Sequence, residues 1–289
     1  IVSLGSVCKW LGEVAEGLGV EIYPGFSAAE VLFNDDGSVK GVATGDMGVS
    51  REMEAKDSWE AGMELHAKFT LFSEGTRGSL SKFLIDNFNL SEGKDFQKYA
   101  IGLKEVWEIK EENFSEGLVE HSMGWPLSDG TNGGSFLYHF DKNLVSIGYV
   151  IHLNYTNPYA SPFDEFQQFK THPSVKKTLI GGKRLSYGAR AITTGGYQSV
   201  PKLNFPGGAL IGCSAGFLNY PKIKGTHNAM ESGMLAAEAI IEKKLSEDEN
   251  NDLENYQLKY EKSRIFKELK KVRNVKPYQS KYGPLLGTL

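Results

Sequence analysis

One run constrains this chain more than any other: Gly207-Gly208-Ala209-Leu210-Ile211-Gly212-Cys213-Ser214-Ala215-Gly216-Phe217, then Lys222-Ile223-Lys224-Gly225-Thr226-His227-Asn228-Ala229-Met230. Ala209 to Gly212 reads as a buried strand that ends in glycines, and a helix is predicted from about Thr226 to Lys244. The free amides and the macrodipole of such a helix start favour negative charge. Ala229, Gly233, Ala236 and Ala237 keep the helix small, so another element or a flat ligand can come close. A tight turn with a closely packed helix explains the spacing equally well. Leu71-Phe72-Ser73-Glu74-Gly75-Thr76-Arg77-Gly78-Ser79 repeats the order of strand, glycine turn and helix. Phosphate or ribose can lie on such a backbone, although a plain connection is the commoner reading.

Composition narrows the partners. Lys plus Arg number 32 against 36 Asp plus Glu, a net charge of -4, so no basic field gathers phosphates and no nucleic-acid partner is expected. Hydrophobic residues at 40% and charged residues at 24% fit a globular protein with a core. At ~150 residues per domain, the length predicts about two domains. The 33 glycines suggest backbone that often approaches a ligand or a neighbouring element. Cys8 and Cys213 are too few for a disulfide framework or for the four thiolates of an iron–sulfur cluster. No apolar run approaches the ~20 residues of a spanning helix, and no HxxxH or HxH spacing predicts a metal site. The chain lacks an initiator Met and a signal peptide, and Ile1 already reads as helical, which suggests a piece of a longer protein.

Residues 3 to 18 carry Leu4, Val7, Leu11, Val14 and Leu18 at helical spacing, with Gly19 as the stop. Val20 to Tyr23 reads as a short strand before the Pro24-Gly25 turn. Ala28 to Phe33 and Val39 to Thr44 form a predicted hairpin through Asn34-Asp35-Asp36-Gly37. Leu65 to Phe72 is a further strand, and a helix follows from about Ser79. Residues 99 to 153 are strand-rich, with a hairpin tip at Phe140-Asp141-Lys142-Asn143-Leu144. Ser161 and Pro162 start a short helix, 183 to 200 resume strand character, and a polar stretch at 246 to 254 precedes a last helix over 255 to 273.

Together, GVEIYPGFSAAEVLFNDDGSVKGV, the strand ending in Glu74-Gly75, and LIGCSAGF with its helix resemble the later part of a glutathione-reductase-type flavoprotein. More closely, TNGGSFLYHF, SPFDEFQQFKTHPS, GGKRLSYGARA, VPKLNFPGG and IGCSAGFLNYPKIKGTHNAMESGMLAAEAI resemble the electron transfer flavoprotein–ubiquinone oxidoreductase family, over essentially the whole chain. Most flavoproteins of the class carry Asp where Cys213 stands, and the resembled family has Cys.

The resemblance implies a mixed α/β fold: an incomplete glutathione-reductase-type FAD-binding domain with an inserted β-rich ubiquinone-binding domain. The expected boundaries are 1–85 and 204–245 for FAD, 86–203 for ubiquinone, and 246–289 for a C-terminal helix and the start of a membrane-associated segment. It implies FAD, a four-iron four-sulfur cluster and ubiquinone, with electrons arriving from reduced electron transfer flavoprotein in the respiratory chain. The protein would sit monotopically on a membrane, at the inner face of a bacterial cytoplasmic membrane or the matrix face of the mitochondrial inner membrane. A GxGxxG unit is expected before Ile1 and the cluster cysteines beyond Leu289, so the chain alone is expected to be inactive and to bind FAD poorly. By resemblance, the backbones of Gly133 and Gly134 touch the ubiquinone headgroup. Glu74, Gly75, Gly212, Cys213, Gly216, Gly225, Thr226 and His227 lie around the flavin, and Asn228 offers an amide donor beside its ring. Without the family, the glycine pair reads as a hairpin bend, and Asn228 as a first-turn helix residue outside the core. The alternatives are a geranylgeranyl reductase or FixC-type flavoprotein, or a redox-inactive quinone- or lipid-binding piece.

Phe163, Phe166 and Phe169 read as core rather than as a quinone wall. From Lys259 to Lys276 the sequence also carries Lys262, Arg264, Lys267, Lys270, Lys271 and Arg273 around an apolar stripe of Ile265, Phe266, Leu269 and Val272. A basic amphipathic helix gains about 1 kcal/mol per cation near anionic headgroups, and a solvated helix packed on the core fits equally well. By resemblance, Tyr278 to Leu289 begins a membrane-dipping segment.

Overall fold

The computed structural model describes residues 3–127, 130–246 and 250–286; Ile1, part of the polar 246–254 stretch and the end of the expected membrane-dipping segment lie outside them. Helix α1 (Leu4–Gly17) follows the predicted spacing and turns at Gly19, φ 88°, with no buried side chain. The strand expected over Val20–Tyr23 does not form, because no neighbouring strand pairs with it among the described residues. Strands β1 (Ala28–Phe33) and β2 (Val39–Thr44) are the predicted hairpin. Its turn is fixed by Asp36, which accepts from the Ser38 backbone N–H at 2.9 Å and the Ser38 hydroxyl at 2.6 Å. An exposed hairpin follows, β3 (Met47–Val49) with β4 (Ala55–Glu60).

The strand expected over Leu65–Phe72 is two strands, since its halves serve different sheets. β5 (Glu64–His66) extends the β1–β2 hairpin, and β6 (Thr70–Phe72) joins a parallel partner. Next come α2 (Ser79–Asn87), β7 (Tyr99–Glu108), β8 (Val119–Met123), β9 (Gly133–Phe140) and β10 (Leu144–His152). The β9–β10 tip places Asp141 and Asn143 at φ 47° and 58°, a region that short polar side chains tolerate. Helix α3 (Pro162–Phe169) starts as predicted, with the Ser161 hydroxyl accepting from the Asp164 N–H at 3.3 Å. Then follow α4 (Pro173–Leu179), β11 (Lys183–Thr193), β12 (Asn204–Phe205), β13 (Gly208–Leu210) and α5 (Thr226–Leu245).

The single last helix expected over 255–273 is broken into α6 (Glu254–Lys262) and α7 (Arg264–Lys271). Ser263 breaks it: its hydroxyl donates to the Tyr260 carbonyl at 2.6 Å and accepts from the Phe266 N–H at 3.2 Å. The stripe residues Ile265 and Leu269 are buried in the core, and so is Lys276, whereas Lys262, Lys267, Lys270, Lys271 and Arg273 are exposed. Helix α8 (Val275–Leu286) is interrupted by Gly283 at φ 77°.

The chain forms two compact units. One is built on Lys98–Ile192. Its antiparallel sheet has the order β11-β7-β10-β9-β8 among the described residues, and β10 pairs without shift from Leu144↔Glu108 to His152↔Ala100. By the two-residue period of a strand, Val145, Ile147, Tyr149 and Ile151 share one face. That face packs on Phe166 and Phe169 of α3 and Val175 and Leu179 of α4. Phe166 and Phe169 are thus core, while Phe163 is exposed. Glu105, 3% exposed, staples this layer: its carboxylate accepts from Lys170 Nζ at 2.8 Å, Trp107 Nε1 at 2.8 Å and Arg184 Nη1 at 3.3 Å.

The other unit joins Tyr23–Gln97 to Thr193–Lys276. Its core gathers Val31, Phe72, Leu84, Leu203, Phe205, Leu210, Phe217, Tyr256 and Ile265. Strand β13 lies between antiparallel β12 and parallel β6, with Gly208↔Thr70 and Leu210↔Phe72 in register.

Candidate functional site

The two glycine segments singled out in the sequence lie side by side. Because β6 and β13 are parallel neighbours, both leave the sheet at the same edge, and the carboxyl ends of parallel strands are where α/β sheets bind ligands. The Ile211 N–H donates to the Phe72 carbonyl at 3.0 Å, and the Ser214 hydroxyl to the Gly75 carbonyl at 3.3 Å. Gly75, Gly212 and Gly216 have φ of 85°, 59° and 83°, conformations that cost other L-residues roughly 1–2 kcal/mol. A Cβ on Gly75 would meet no atom within 4 Å, whereas one on Gly216 would lie 2.7 Å from Gln97 Nε2. Burial pushes the Cys213 thiol pKa up, which keeps it a neutral thiol.

Helix α5 begins at Gly225 and Thr226 with no side-chain cap. Its first turns grip the glycine loop: the Ser232 hydroxyl accepts from the Gly212 N–H at 2.9 Å, and Asn228 Nδ2 donates to the Phe217 carbonyl at 2.9 Å. Asn228 is fully buried, so it belongs to the core, contrary to the expectation of a peripheral helix-start residue. One of its two amide N–H donors is taken by that bond. Phe217 offers a carbonyl, which can only accept, so the amide is oriented with Oδ1 as the free end, and Oδ1 has no partner. The side chain therefore keeps an unpartnered acceptor in Oδ1, together with the second N–H of its amide.

Glu74 and His227 are engaged by the protein. Glu74 accepts from the Ser81 N–H and hydroxyl at 2.6 Å and from the Leu80 N–H at 3.3 Å, capping α2. His227 Nε2 faces Glu268 Oε1 at 3.0 Å. Glu268 also accepts from Asn219 Nδ2 at 2.7 Å and Lys222 Nζ at 2.8 Å. Burial opposes its charge, but these hydrogen bonds outweigh burial and hold its pKa down to about 2. Sequence reading missed this cluster, because nothing in the spacing links Glu268 to a loop over forty residues earlier. A cavity of about 450 Å³ lined by Lys94, Asp95, Tyr197, Gln257, Tyr260 and Phe266 also lies in this unit, and none of the expected site residues lines it.

In the strand-rich unit, Gly133 and Gly134 open β9 rather than forming a hairpin bend. Gly134 pairs with Val150 on one side and Met123 on the other. Neither glycine has positive φ. What demands glycine is space: a Cβ on Gly133 would strike Leu127, and one on Gly134 would sit 2.8 Å from the Ser122 carbonyl oxygen.

Parallel strands that end in adjacent glycine turns before an uncapped helix define a mixed α/β fold of the flavoprotein class. A geranylgeranyl bacteriochlorophyll reductase-like protein from Thermoplasma acidophilum shares it, with a TM-score of 0.71 at 16% identity over 97% of this chain and 62% of that one. A flavoprotein/dehydrogenase from Cytophaga hutchinsonii gives 0.52 at 17% identity, over 80% of this chain and 52% of that one. The family described as ETF-QO, ubiquinone-binding, matches residues 99–192. Electron transfer flavoprotein-ubiquinone oxidoreductase of Pseudomonas aeruginosa is 53% identical over 99% of this chain and 52% of its own length. The mitochondrial protein of that name from Homo sapiens is 54% identical over 96% of this chain and 46% of its own length. The chain belongs to the electron transfer flavoprotein–ubiquinone oxidoreductase family, and it spans about half the length of the curated relatives it matches.

Proposed function

We propose that this chain supplies flavin contacts from its glycine-turn unit and ubiquinone contacts from its strand-rich unit, within a protein that passes electrons from reduced electron transfer flavoprotein to ubiquinone. The carrying observation is the pair of glycine turns at the shared edge of β6 and β13, ahead of the uncapped start of α5. The residues present fit FAD. Gly75 leaves open space, the α5 amides favour negative charge, and buried Asn228 Oδ1 is an acceptor without a donor. FAD, when bound, supplies one- and two-electron redox chemistry.

Around it, the backbones of Gly75, Gly212, Gly216 and Gly225 approach the ligand, with Cys213, Thr226 and His227 beside them. Asn228 Oδ1 accepts from a ligand N–H, while Asn228 Nδ2 and Ser232 hold the turn in shape. Glu74 acts through α2, which it caps. Gly133 and Gly134 meet the quinone ring through backbone, since neither has a side chain of its own. Cys8 and Cys213 are two thiols short of the four that a four-iron four-sulfur cluster needs, so this chain by itself does not fit one. No helix among the described residues is long and apolar enough to cross a membrane. The exposed cations of α6 and α7 suit monotopic contact with anionic headgroups, on the inner bacterial or the mitochondrial matrix face.

The test is Gly75→Ala in the full-length protein. The new methyl meets no protein atom, so its effect reaches the ligand through backbone geometry. FAD content after gel filtration is expected to fall at unchanged circular dichroism, and ubiquinone reduction with reduced electron transfer flavoprotein falls with it. Stoichiometric FAD in that variant would count against the flavin site.

A further inference from the structure

The loop from Phe217 to Gly225 links the glycine turn to α5, and inside it the Ile223 N–H donates to the Tyr220 carbonyl at 3.0 Å and the Lys222 N–H to Asn219 Oδ1 at 3.2 Å. Asn219 and Lys224 exchange backbone bonds at 2.9 and 3.3 Å, and Ile223 stands at φ 56°. From outside, Phe217 stacks on Tyr260, the Lys276 ammonium lies over the Tyr220 ring, and one carboxylate on α7 gathers the side-chain hydrogen bonds of Asn219 and Lys222. Glu268 Oε1 accepts from Asn219 Nδ2 and His227 Nε2, and Oε2 accepts from Lys222 Nζ. The carboxylate only accepts, so His227 carries its proton on Nε2. Asn219 is fully buried and Glu268 is 12% exposed, while His227 and Lys222 are 33% and 56% exposed, so the carboxylate is buried on the Asn219 side and open to water at Lys222. A second tie between the same helices joins Arg264 to Glu231 at 2.9 Å, one turn further along α5, and touches nothing in the loop.

We propose that Glu268 is a positioning residue: it fixes the Asn219–Lys224 loop and the first turn of α5 in the geometry that receives the flavin. Glu268 contacts no ligand in this role and acts through Asn219, Lys222 and His227. The proposal rests on the flavin reading above. Removing the carboxylate frees three donors at once, two of them on the loop and one on the first turn of α5. The Arg264 tie has no such reach.

The experiment uses the full-length protein, with Glu268→Ala, Glu268→Gln and Arg264→Ala beside wild type. Apoprotein is titrated with FAD, and hydrogen–deuterium exchange of residues 217–230 is followed in the absence of FAD. Glu268→Ala is expected to speed exchange in that segment and to weaken FAD binding about tenfold. Glu268→Gln keeps one acceptor oxygen, so its affinity falls between, and it remains informative where Glu268→Ala fails to fold. Arg264→Ala leaves both readouts at wild-type values. Unchanged exchange in the Glu268 variants overturns the proposal. Faster exchange with unchanged FAD affinity also overturns it, and Gly75→Ala then separates the causes: if that variant loses FAD, only the positioning role has failed, and if it retains FAD, the flavin reading has failed too.

Discussion

Asn228 shows how one hydrogen bond orients a buried amide. One Nδ2 hydrogen is committed to the Phe217 carbonyl, which leaves Oδ1 as a buried acceptor without a partner. An acceptor's partial negative charge favours the oxidised flavin over the more negative reduced ring. With Oδ1 as the atom facing the proposed flavin, Asn228→Ala is expected to raise the flavin potential in a potentiometric titration; a lowered potential would show that the second amide N–H faces the ring. The same change strands the buried Phe217 carbonyl, at roughly 1–3 kcal/mol, so the melting temperature should fall as well. Glu268 makes a second prediction. Its folded pKa of about 2 lies below the ordinary 4.5, so its stabilisation is complete above pH 4.5 and is lost as pH falls towards 2. Glu268→Gln should flatten that acid limb of the stability profile; an unchanged limb would mean the carboxylate is not held down.

Strand β9 gives the glycine pair a structural load beside the proposed quinone contact. Gly134 lies inside a ladder, with the Ser122 carbonyl 2.8 Å from its missing Cβ, so Gly134→Val must displace backbone, and overpacking of this kind costs about 1–3 kcal/mol. In the full-length protein, ubiquinone reduction should be suppressed while FAD content and oxidation of the partner flavoprotein persist. Parallel loss of both activities, or loss of neither, would remove the quinone assignment. Glu105 ties β7 to Lys170 and Arg184. Glu105→Ala leaves nearly buried Lys170 without its carboxylate and should cost about 3–5 kcal/mol, measured by denaturant unfolding of the strand-rich unit.

The two hydrophobic cores share no residue, so the two proposed ligands should leave separate footprints. In hydrogen exchange on the full-length protein, FAD is expected to protect residues 71–81 and 208–230. Ubiquinone is expected to protect 119–124 and 132–136. Both ligands protecting one common set would contradict the division of labour between the units.

Much of the local structure could be read from the chain, because its causes are local. Asn34 to Gly37 carries its own turn chemistry, Ser161-Pro162 its own helix start, and Gly212 to Asn228 the order of strand, turn and helix. What local order could not show was which distant groups would meet. Leu65 to Phe72 reads as one strand in sequence, yet it splits because β2 and β13 compete for its two halves. The last helix breaks at Ser263, whose hydroxyl bonds satisfy the backbone groups on either side of the break. One amide hydrogen of Asn228 was spent on a carbonyl eleven residues earlier, and the charge of Glu268 on a loop brought in by packing. Backbone propensity acts over a few residues, whereas the partner of a buried polar group is chosen by the whole packed core, where leaving it unpaired costs most.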